Sequence, residues 1–138
     1  MIEISLEYWN KLANQIILIC SLLTGFTIAV IANIVVSKIE SKIVNRILRF
    51  ATLAACLFLI SMFGMTKILM MTTEGFPFEV SNDKITFPRI ISTLSFFFGI
   101  ISLLVVIALS GFTKSKKLGR FTLIVGILTL ILILWMAI

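Results

Sequence analysis

Residues 12 to 36, 50 to 71 and 90 to 112 carry almost no charge, and a fourth such stretch, 121 to 138, runs to the last residue. A bilayer hydrocarbon core of about 30 Å is crossed by about 20 helical residues at roughly 1.5 Å rise, so each stretch is long enough to span it. The chain has 60% apolar and 13% charged residues, with a mean hydropathy of +1.20. A soluble domain of 138 residues could not cover that much apolar surface. The expected fold is one all-α, polytopic domain of four transmembrane helices.

The same composition narrows the chemistry. There is no histidine, and the two cysteines, Cys20 and Cys56, fall in different spans without a CxxC pair. Imidazole metal sites, dithiol redox centres and histidine acid–base catalysis are therefore not expected, and both cysteines read as small core residues. No nucleophile with a matching base stands out, so the chain is expected not to be an enzyme and to need no cofactor or metal. The acidic and aromatic start, Met1 to Trp9, lacks the positive opening of a signal peptide and reads as retained.

A net charge of +6 would suggest nucleic acid for a soluble protein. Here the basic residues sit in short connections between spans, where they set orientation instead. Lys38, Lys42, Arg46 and Arg49 precede the second span, and Lys114, Lys116, Lys117 and Arg120 precede the fourth. Both connections are expected in the cytoplasm of a plasma or bacterial inner membrane, leaving the two termini outside with Trp9 and Trp135 at the outer interface. Lys67, the one charge inside a span, lies near the outer boundary, within reach of the headgroups. The outer connection, Phe76 to Pro88, has two β-prone runs around Ser81-Asn82-Asp83-Lys84 and reads as a short extracellular β-hairpin. Gly119 reads as a turn residue between the last two helices.

Apolar residues say little in lipid, so the positions of small and polar residues carry the signal. At about 100° per residue, Ser21, Gly25, Ala29 and Ala32 fall within about 80° of one another, and Glu3, Glu7 and Asn14 extend that strip outward. Small residues let helix backbones approach, which is how membrane helices pack. The same strip could instead line a pore in a ring of identical subunits, with Glu3, Glu7, Asn14, Ser21, Gly25, Ala29 and Asn33 along the path. Glu7 and Lys11 are also spaced for an i, i+4 salt bridge. In the third span Ser92, Ser95, Gly99 and Ser102 form a heptad-like seam, echoed in the fourth by Thr122, Gly126 and Thr129. These two spans are expected to pack together as a hairpin. The fourth is otherwise Leu, Ile and Val all round, which suits a lipid-facing position.

The stretch Leu22-Leu-Thr-Gly-Phe-Thr-Ile-Ala-Val-Ile-Ala-Asn33 resembles the pore-lining first helix of the Orai calcium channels, with Gly25 and Phe26 matching. The resemblance covers about twelve residues and implies four membrane helices with helix one at the centre of a ring. Asn33 stands where that family carries its selectivity glutamate, so calcium selectivity is not implied. The connection after helix one faces outside in that family, opposite to the orientation read here. Two functions are thus expected to compete: a homo-oligomeric ion channel lined by helix one, and a non-catalytic accessory or scaffold subunit that binds another membrane protein. Neither involves nucleic acid.

Overall fold

The computed structural model describes residues 5–138, which form four helices: α1 (Leu6–Ser37), α2 (Lys42–Thr72), α3 (Asn82–Phe112) and α4 (Lys116–Ala137). All four are long and apolar enough to cross a membrane. At about 1.5 Å per residue the first three reach roughly 47 Å, more than the thickness of a hydrocarbon core. Each helix starts earlier than its charge-free stretch, and at three of the four starts a serine hydroxyl caps the boundary. Ser5, Ser41 and Ser115 stand at the N-caps of α1, α2 and α4, accepting from the backbone N–H of Tyr8 (3.2 Å), Val44 (3.1 Å) and Leu118 (3.1 Å). These bonds satisfy helix-end donors that would otherwise be orphaned. α1 stops at Lys38, whose left-handed backbone (φ 52°) turns the chain toward α2.

The expected extracellular β-hairpin does not form, and among the described residues there is no strand. Ser81 instead takes the N-cap position of α3, and Asn82 and Asp83 become its first turn. An acidic residue there is favoured by the helix dipole, which outweighs the turn preference of the Asn-Asp pair. The connection before it folds back onto the bundle end. Phe76 and Val80 pack on a cluster of Ala13, Met65, Ile68, Met71 and Ile85.

α2 packs against both α1 and α3, while α4 packs on α3. The bundle is therefore open, with α1 and α4 at its margins. Its core runs in three layers along α2. Cys20, Ala54 and Phe58 fill the middle, and Ile47, Ala51 and Val106 fill the end where the basic connections lie. That end is called the basic end below.

The seam Ser92, Ser95, Gly99 and Ser102 is buried as expected, but against α2 rather than α4. Gly99 faces the Phe58 ring, and Ser92 Oγ occupies the space where a side chain on Gly64 would begin. Opposite the seam, Leu104 and Ala108 of α3 face Gly126 of α4, where an added methyl group would lie 3.7 Å from the Leu104 carbonyl and the Ala108 side chain. Thr122 Oγ1 donates across that contact to the Ala108 carbonyl at 2.9 Å, worth about 0.6 kcal/mol in a membrane. Thr129 bonds its own helix at the Val125 carbonyl instead. Gly119 lies inside α4 rather than in a turn, buried against the Phe112 ring. Apart from Gly119 and Gly126, α4 buries nothing, leaving its Leu and Ile side chains for lipid. Cys20 is a buried core residue, whereas Cys56 is exposed on the apolar surface of α2.

Candidate functional site

α1 has two unlike sides. Its buried residues are Ala13, Cys20, Thr24 and Thr27, which turn toward α2. The small and polar strip lies about 130° away around the helix axis. Asn14, Ser21, Gly25, Ala29 and Ala32 are all exposed there. Ser21 Oγ donates to the Ile17 carbonyl at 2.8 Å and sits 3.3 Å from Met62 Sδ, marking the edge of the α1–α2 contact. At Gly25 a side chain would meet nothing within 4 Å. The strip thus lies outside the packing of the single chain.

The polar ends of the strip divide. Glu7 pairs with Lys11 at 2.7 Å, with both side chains about three-quarters exposed. Glu3 lies outside the described residues. Asn33 is exposed but stands off the strip, lining a cavity of about 710 Å³ at the basic end with Phe26, Ile34 and Ile47. Gly25 and Phe26 are both on the open surface of α1. Among the described residues, no three His, Cys, Asp or Glu side chains come close enough to hold a metal ion.

Two polar contacts at the end opposite the basic one were not anticipated from sequence. Asn10 Nδ2 donates to Thr72 Oγ1 at 3.0 Å, with the Leu69 carbonyl and Thr73 Oγ1 each at 3.4 Å. It ties α1 to the last turn of α2, beside an open cleft of about 700 Å³ that also holds Glu7 and Lys11. The available signal was an asparagine one turn into an apolar helix, and a Thr-Thr pair at the end of the next. Close by, the Arg89 guanidinium of α3 lies 5.1 Å above the Trp9 ring of α1, a cation–π contact.

Asn10→Ala should loosen this end by about 1 kcal/mol, the net value of a hydrogen bond. Thr72 and Thr73 keep their own bonds to the Ile68 and Leu69 carbonyls, so no buried group is left stranded. Trp9 fluorescence during unfolding in mixed micelles reads the effect, and an unchanged midpoint would show that the asparagine is not a clamp.

What the arrangement offers is therefore a surface: a helix face of small side chains, polar toward one end, on the margin of the bundle. The chain matches no family model, no curated protein and no solved structure.

Proposed function

We propose that this chain is a non-catalytic, self-associating membrane subunit in which the α1 faces of several copies meet. The observation that carries the reading is Gly25. Glycine in a helix interior is less favourable than alanine by about 1 kcal/mol, and nothing inside this chain uses the space it leaves. A second backbone approaching α1 would use it, together with Ser21, Ala29 and Ala32. In a closed ring the same faces line a path for small ions, with Asn14 and Ser21 as its polar positions and Glu3 and Glu7 at its outer mouth. The likeness of Leu22 to Asn33 to a pore helix supports this second step. The basic end faces the cytoplasm, because eight of the twelve Lys and Arg residues lie in or beside its connections.

The mass of the purified protein in mild detergent tests the first step: a defined multiple of 15.4 kDa is expected, and a monomer would end the proposal. Planar bilayers test the second. Discrete conductance that falls when Glu3 and Glu7 are both changed to Gln is expected of an ion path. A silent oligomer leaves self-association standing without a pore. A foreign membrane protein bound in fixed proportion would favour an accessory subunit instead.

A further inference from the structure

At the basic end a groove of about 440 Å³ opens between α2 and α3, lined by Arg46, Arg49, Phe50 and Leu53 of α2 and Val105 and Leu109 of α3. The four α2 residues recur at i, i+3, i+4 and i+7, which places them on one face. From Arg46 to Leu53 the face runs about 10 Å along the axis, from two cations at the membrane boundary into apolar depth. Both guanidiniums are exposed, and neither belongs to the ion pair found among the described residues, which is Glu7 with Lys11 at the far end. Arg89, by contrast, is occupied by the Trp9 ring.

We infer that this groove seats one anionic phospholipid, its phosphodiester on Arg46 and Arg49 and an acyl chain along Phe50, Leu53, Val105 and Leu109. Guanidinium forks match phosphate oxygens in two-bond geometry, and adjacent arginines without an acid favour a headgroup of net negative charge. A zwitterionic lipid brings its own ammonium into the same space. Basic pockets between spans at this level of a membrane take anionic headgroups for the same reason. The inference needs only membrane insertion and is independent of how many copies assemble.

The full-length protein, purified from nanodiscs containing equal phosphatidylglycerol and phosphatidylcholine, tests this by native mass spectrometry of retained lipid. Phosphatidylglycerol should be retained in preference, and Arg46→Gln or Arg49→Gln should each lower its retention about fivefold. Leu53→Trp, which fills the groove and leaves both cations, should evict the lipid as well. Leu53 is half exposed, so the change does not disturb the core. Lys116→Gln with Lys117→Gln should leave retention intact, and glycerol phosphate should not compete at lipid concentrations. Equal retention of the two lipids would overturn the site. So would indifference to the arginine and Leu53 variants, an equal loss on changing the lysines, or displacement by glycerol phosphate.

Discussion

Gly99→Leu is expected to destabilise the bundle by about 2 kcal/mol or more, although leucine is the better helix former by roughly 1 kcal/mol. The first added carbon would lie 2.7 Å from one Phe58 ring atom and 2.9 Å from another, well inside contact distance. The ring has nowhere to retreat. Phe58 is fully buried among Cys20, Ala54 and Leu23, and its edge meets Phe96 with centroids 6.4 Å apart. Relief must therefore come from separating α2 and α3, the central pair, and the cost extends to Gly64 and Ser92 further along the same contact. Unfolding in mixed micelles should show a lower midpoint for Gly99→Leu, and Phe58→Ala in the same chain should return part of the loss. That coupling is the sharper readout, because a defect elsewhere would add to the second substitution instead of being offset by it. Equal midpoints for Gly99→Leu and the parent would mean that the two helices are not held at this distance.

Gly25→Leu should behave in the opposite way, dispersing the assembly while leaving the single chain as stable as before. No atom of the chain stands within 4 Å of the position where the new side chain begins, so the fold has room for it. A second helix packed on this face does not. Native mass spectrometry in mild detergent is expected to show monomer for Gly25→Leu and the parental oligomer for Gly25→Ala, whose methyl group keeps the face small. Ile124→Phe, on the exposed side of α4, is the matched control and should leave the mass unchanged. If Gly25→Leu keeps its oligomeric mass, the copies meet elsewhere and the α1 reading is wrong.

Much of the fold was legible because lipid simplifies the rules. Four charge-free stretches gave four helices in order, and a run of Leu, Ile and Val marked α4 as the outer one. Periodicity also found the buried seam on α3, but it identifies a face and not the neighbour. Ser92, Ser95, Gly99 and Ser102 could meet any helix, and only Phe58 and Gly64 show that the partner is α2. The failed hairpin has a local cause. Ser81, Asn82 and Asp83 are as suited to a helix N-terminus as to a turn, and the apolar pattern after Pro88 settles the choice by extending the helix backward. Ser5, Ser41, Ser81 and Ser115 stand before all four helices, a regularity that the charge pattern concealed. In the candidate site the α1 strip was visible as spacing, and its exposure was not. Cys56 shows the limit of residue type alone, since it is exposed where small apolar character would place it in the core.

The order of helices across the molecule has a geometric consequence for how copies can add. Its two flanks are unlike, with small side chains along one face of α1 and bulky Leu and Ile along α4. Under the proposed assembly, copies joined along α1 would place that helix nearest the shared axis and leave α4 outermost, against lipid.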